Sequence, residues 1–194
     1  MTDNFDYHAV TFKRWVDLEK LFGARGACGG CWCMFWRLPN QEFGRMKGEG
    51  NRQAMHALIA TGSTPGILAY DHELPVGWVS VGPRQDFSTL GRSRILKPVD
   101  DQPVWSVVCF FIAKAFRRQG MSARMLQAAV THAAQNGARI VEGYPYDQGN
   151  SSSPDPFVYT GLLSTFQKAG FVEVLRRSPK RPIMRYFIEQ ERQR

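Results

Sequence analysis

The stretch Ile112-Ala113-Lys114-Ala115-Phe116-Arg117-Arg118-Gln119-Gly120-Met121-Ser122-Ala123-Arg124 joins an apolar run to the start of an amphipathic pattern, and it has the residue types of an anion cradle. A strand feeding a short basic turn and then a helix presents unpaired N–H groups and partial positive charge at the helix start, where phosphate binds. Gly120 lets the backbone approach an anion closely, and Arg117 and Arg118 add full charge, so a pyrophosphate is the natural guest. The same residues also fit a plain strand-to-helix turn with solvated arginines. The second unusual string is Cys28-Gly29-Gly30-Cys31-Trp32-Cys33. A structural zinc site closes with four ligands, and no second C-x-x-C or nearby H-x-x-x-H exists, so His8 or His56 would have to fold back to complete it; no metal is expected. A C-x-x-C pair can be redox-active, but this one lies outside the usual βαβ context. Small, partly buried side chains in a tight loop with Trp32, Phe35 and Trp36 fit the string best. Cys109 reads as core.

The elements that must position these groups follow from hydrophobic period. Residues 7–10 read as a short strand, and Trp15, Leu18 and Phe22 recur at helical steps before Gly23. A packed loop spans 24–36, and a helix covers Asn51 to Ala60. Residues 66–81 read as a hairpin turning at Asp71–Pro75, and 83–103 as a surface loop with three prolines. Val104 to Ile112 is nearly unbroken in apolar and β-forming residues, the pattern of a strand buried on both faces. Met125, Leu126, Ala129, Val130 and Ala133 trace one helix face ending near Asn136-Gly137, and Ile140-Val141 begin another strand. After the turn-rich stretch 145–156, Thr160 to Lys168 reads as helix, and strands at 171–175 and 183–188 close the chain. One α+β domain with a mixed sheet and helices on both faces fits.

Composition narrows the function classes. At 194 residues with 43% hydrophobic and 22% charged, the chain is an ordinary globular domain, neither coiled coil nor collagen. No apolar run is long enough to span a membrane, and the acidic, polar first residues carry no secretory pattern, so a cytoplasmic location with reduced thiols is expected. Lys plus Arg exceed Asp plus Glu by 25 − 17, a charge of +8, which suits a polyanion or a phosphate-rich small molecule. The run Arg176-Arg177-Ser178-Pro179-Lys180-Arg181 invites a nucleic-acid reading, yet no helix-turn-helix, zinc-finger or RRM signature accompanies it.

Together these features resemble the GNAT superfamily of acyl-CoA-dependent N-acyltransferases. The family motif Q/R-x-x-G-x-G/A corresponds to Arg117-Arg118-Gln119-Gly120-Met121-Ser122, with Ser122 where Gly or Ala is usual. Phe110-Phe111-Ile112 matches the strand end whose main chain pairs with the pantetheine arm, and Thr165-Phe166-Gln167-Lys168-Ala169-Gly170-Phe171 resembles the late F-Y-E-K-x-G-F stretch. The resemblance implies the GNAT fold, an α+β (α/β-like) domain: a mixed, mostly antiparallel sheet of six to seven strands with helices on both faces. It would fill residues 1–194 as a single domain, with N-terminal helices and the Cys-rich loop over 1–65 and the sheet and cofactor core over 66–188.

It further implies acetyl-CoA as cosubstrate, with Phe110, Phe111 and Ile112 along its arm and Arg117, Arg118, Gln119, Gly120, Met121, Ser122 and Ala123 at its diphosphate. An amine on a small molecule or peptide would attack directly in a ternary complex, the carbonyl polarised by main-chain N–H near Ile112. The family's acidic tyrosine falls on Phe166, so Tyr159, two helical turns earlier, is the candidate acid. Glu142, at the end of the fifth strand, ranks first as base, ahead of Glu73 and Asp71. A noncatalytic acyl-CoA sensor is the alternative and a nucleic-acid module a more distant one; a homodimer is compatible with either.

Overall fold

The structure, a computed structural model, describes residues 5–149 and 159–189. Seven strands form one sheet: β1 (Phe5–Ala9), β2 (Gly66–Asp71), β3 (Leu74–Pro83), β4 (Trp105–Ile112), β5 (Ile140–Gly143), β6 (Val172–Arg176) and β7 (Pro182–Phe187). Their order is β1-β2-β3-β4-β5-β7-β6; β4 and β5 run parallel, and every other neighbouring pair is antiparallel. The helices are α1 (Trp15–Phe22), α2 (Asn40–Arg45), α3 (Glu49–Ala60), α4 (Ser88–Arg92), α5 (Met121–Gln135) and α6 (Leu163–Lys168). Among the described residues no helix is long and apolar enough to cross a membrane.

Alternation along the strands sorts side chains to two faces. On one face Met121, Met125, Leu126, Ala129, Val130 and Ala133 of α5 and Phe166 of α6 bury against Val79, Val107 and Val141. The larger of these contribute about 1.5–3 kcal/mol each on burial. On the other, Trp15, Leu18 and Phe22 of α1 and Met55 and Ile59 of α3 cover Leu68, Tyr70 and Trp78, and a further cluster joins Phe87, Leu90, Leu96, Val108, Tyr144 and Ile183. Val107 and Val108 therefore face opposite cores, as a run without polar alternation requires.

Two local readings differ from the structure, and α2 is an element that hydrophobic period does not reveal. Residues 83–103 are not all loop: a 3-10 turn at Arg84–Asp86 and α4 interrupt them, and Leu90 is fully buried there. The helix α2 has only one and a half turns, too short for a clear period in sequence. The last helix begins at Leu163, because Tyr146 pairs in parallel with Leu162 and draws the preceding residues into an extended path.

Candidate functional site

β4 is the element around which the site is built. Its parallel pairing with β5 covers only Trp105–Val107 against Val141–Gly143, and from there to Ile112 β4 is paired on its β3 side alone. On the β3 side Ser80 faces Cys109 and Val81 faces Val107, leaving Val108 as a bulge. A bulge bends and twists its strand, which carries the end of β4 away from β5. The edge so opened exposes the amides of alternate residues. Phe110 N–H donates to the Tyr159 carbonyl at 2.7 Å, and the Ile112 amide, two residues on, points to the same edge.

Beyond Ile112 the chain makes a 3-10 turn at Lys114–Phe116. Arg117 Nε donates to the Ile112 carbonyl at 2.8 Å, and Gln119 Nε2 to the Ala115 carbonyl at 2.8 Å, bracing the turn. Gly120, at φ 76, is the N-cap of α5 in the left-handed region. Its carbonyl accepts from Ala123 and Arg124 N–H, so the Met121 and Ser122 amides lie ahead of the first helical bond. No side chain caps this end, and nothing lies within 4 Å of where a Gly120 Cβ would project. Arg118, exposed and also at positive φ, adds charge beside it. This is an open, positive helix end with free amides, the donor set a diphosphate requires.

Glu142 does not sit at an open acceptor site. It is 0% exposed, with Arg84 Nη1 at 2.9 Å and the Tyr144 hydroxyl at 2.7 Å on Oε1, and Arg185 Nε at 2.8 Å on Oε2. Arg185 also grips Asp100 through two bonds of 2.7 and 2.9 Å, and Ser106 Oγ bonds the Tyr144 hydroxyl at 2.9 Å. Burial and the Glu142 charge push the Tyr144 phenol well above its usual range. Both carboxylate oxygens are thus committed to a network joining β4, β5, β7 and the 93–103 loop. Sequence reading missed this network; its signal is one glutamate and one arginine at inward positions of two apolar strands, charges that must find each other to be buried. The carboxylates ranked behind Glu142 lie elsewhere, Asp71 closing β2 and Glu73 exposed in the β2–β3 turn.

Tyr159 lies before α6 in a turn, not on a helical face two turns from Phe166. Arg181 Nη1 holds the segment by donating to Thr160 Oγ1 at 2.7 Å, and the Tyr159 ring meets Phe35 edge-on at 6.0 Å. Burial, followed by the Cys109 charge, raises the Tyr159 phenol to about 12. Phe166, fully buried, fills the position of the expected family acid; it packs on Phe110 and Phe171 and so closely on Gly143 that a Cβ there would overlap its ring.

The Cys-rich loop reaches the same end of β4 from the opposite face. Cys33 Sγ is 3.5 Å from Cys109 Sγ, and Trp32 stacks on Trp15 at 6.0 Å. The basic run of the β6–β7 turn is largely consumed internally. Arg176 pairs with Glu173 and Asp147, and Arg177 donates to the Lys97 and Pro98 carbonyls at 2.6 and 2.8 Å. A nucleic-acid face would need those donors free.

A mixed seven-stranded sheet whose parallel pair splays ahead of a glycine-started helix defines an acyltransferase architecture. The family model described as "Acetyltransferase (GNAT) family" matches residues 32–150, more than half of the chain, and the protein belongs to that family. Solved structures of low identity share the fold. PaiA N-acetyltransferase of Thermoplasma acidophilum, in complex with coenzyme A, aligns at TM-score 0.54 and 11% identity over 95% of this chain and 99% of that one. Polyamine N-acetyltransferase of Drosophila melanogaster, which forms N-acetylagmatine, aligns at 0.54 and 8% over 95% and 100%. A GNAT-family acetyltransferase of Streptococcus agalactiae aligns at 0.56 and 11% over 96% of each chain. A search of curated protein sequences gives no match.

Proposed function

We propose that the protein is an N-acetyltransferase moving an acetyl group from acetyl-CoA to a primary amine of a small molecule or peptide by direct attack in a ternary complex. The observation that carries this reading is the pairing of the splayed β4 edge with the open N-terminus of α5, one presenting strand amides and the other diphosphate donors. Related folds holding coenzyme A or acting on polyamines support it.

In this reading the amides of Arg118–Ala123, with the Arg118 charge, bind the diphosphate, and the pantetheine arm lies along Phe110–Ile112. The Ile112 amide, on the same open edge as that of Phe110, would polarise the acetyl carbonyl. Tyr159, protonated through the neutral range because burial raises it to about 12, is the donor to the departing thiolate. Glu142 is a structural anchor and not the base; an amine arriving neutral, or water, supplies that step.

Release of CoA thiol measured across a panel of amines tests the activity, and no release above hydrolysis with any amine favours the noncatalytic sensor. Tyr159→Phe keeps the ring and removes the proton, so turnover should fall about a hundredfold with acetyl-CoA affinity unchanged. Because the phenol is raised, the parent should show no alkaline decline from this group at pH 10. Turnover within twofold of the parent in Tyr159→Phe, with chemistry rate-limiting, would remove the residue from the mechanism.

A further inference from the structure

Two sulfurs from distant parts of the chain meet on the helix α1 side of β4, with a third thiol, Cys31, in the same loop as one of them. Cys33 Sγ and Cys109 Sγ are 3.5 Å apart across 76 residues, and Cys31, two residues before Cys33, donates its Sγ–H to the Gly26 carbonyl at 3.5 Å. All are free thiols, graded in access: Cys31 is partly exposed, Cys33 buried, and Cys109 half-buried on the strand. The loop holds them at a local cost. Ala27, Trp32 and Cys33 take left-handed φ values of 67, 43 and 54, three of the five non-glycine residues to do so among those described. Such conformations persist only where surrounding structure imposes them. Here Trp15, Phe22 and Trp32 supply the packing that does so. The neighbouring Cys33 side chain lowers the Cys31 thiol to about 6, while burial pushes Cys33 well up.

We propose that Cys31, Cys33 and Cys109 form a redox-active thiol site that reacts with hydroperoxides and ends as a Cys33–Cys109 disulfide tying the Cys-rich loop to β4. The Cys31 thiolate attacks the O–O bond of hydrogen peroxide, becoming a sulfenic acid, and the released hydroxide takes a proton to form water. The Cys33 thiol then attacks the Cys31 sulfur; the S–O bond breaks, an S–S bond forms, and the Cys33 proton leaves with the hydroxide as a second water. Cys109 next attacks the Cys33 sulfur, and Cys31 departs as a thiolate that takes the Cys109 proton. In sum two thiols lose two hydrogens and one peroxide becomes two waters. The last step needs the sulfurs to close from 3.5 Å to about 2.05 Å, a side-chain movement. The bridge would fix the loop carrying Phe35 beside Tyr159.

The test uses the full chain, reduced, freed of reductant, treated with a few equivalents of hydrogen peroxide, blocked with N-ethylmaleimide and digested with trypsin without reduction. The expected product joins peptide 26–37, with N-ethylmaleimide on Cys28 and Cys31, to peptide 95–114; it is two hydrogens lighter than the sum of those two species and is separated by dithiothreitol. Cys31→Ser should slow its formation at least tenfold. Cys109→Ser should trap a bridge within peptide 26–37. Absence of the inter-peptide link in the parent, with Cys109 fully alkylated and Cys31 advancing to sulfinic acid, would overturn the proposal. So would an unchanged rate in Cys31→Ser. Peptide masses read this chemistry independently of acetyl transfer, so its failure and that of the acetyltransferase reading are separable.

Discussion

Replacing Gly120 by glutamate is expected to remove acetyl-CoA binding while leaving the fold intact. The residue sits at φ 76 with open space where a side chain would project, so the cost to folding is the left-handed strain of about 1–2 kcal/mol. A carboxylate at a helix N-terminus is favoured by the helix dipole, which offsets part of that strain. The same carboxylate would occupy the amides of Met121 and Ser122 and repel the incoming diphosphate. Charge-assisted hydrogen bonds contribute about 1.5–3 kcal/mol each, so losing two or three should weaken affinity roughly a thousandfold or more. Gly120→Ala introduces the strain without the charge and should cost less than about tenfold. Titration calorimetry with acetyl-CoA, alongside circular dichroism, separates the cases. A folded Gly120→Glu protein with parental affinity would mean that the turn does not seat the diphosphate.

Glu142→Gln is expected to act on stability and not on proton transfer. The substitution leaves the Arg84 and Arg185 guanidinium groups in a buried network without their shared counter-charge. Breaking a buried pair from one side costs about 3–5 kcal/mol, which in a chain of this size lowers Tm by roughly 6–20 °C. The pH–rate profile of the surviving folded fraction should parallel the parent's. A general base would behave otherwise: its loss would leave Tm unchanged and reduce the rate most at low pH, where the amine is protonated, with recovery as pH rises. That second pattern would restore Glu142 to the chemistry and remove it from the architecture.

The Gly120 and Glu142 cases differ in how far sequence alone could reach. The turn at Arg117–Ala123 was legible because everything it needs is contiguous: a strand, a residue free to take positive φ, and a helix whose first amides have no acceptor behind them. Glu142 was legible only as a carboxylate near a strand end. Its partners come from positions 84, 144 and 185, and which face of β5 it occupies depends on a register set by pairing with β4 and β7. The setting of Tyr159 depends on contacts at a shorter range. The residues of 160–168 carry a helical period, but pairing of Leu162 with Tyr146 extends the chain there, so Tyr159 lies in a turn and meets β4 through its carbonyl.

The alternation and periods that make seven strands and the face of α5, together with the glycine-started helix that can take an anion, are written locally, since each rests on interactions between residues a few positions apart. The splay of β4 from β5, the enclosure of Glu142 and the meeting of Cys33 with Cys109 arise only in the folded chain. These depend on a bulge at Val108, on strand register and on packing that brings positions 76 residues apart to within 3.5 Å, and no local spacing encodes which distant groups will share a buried space.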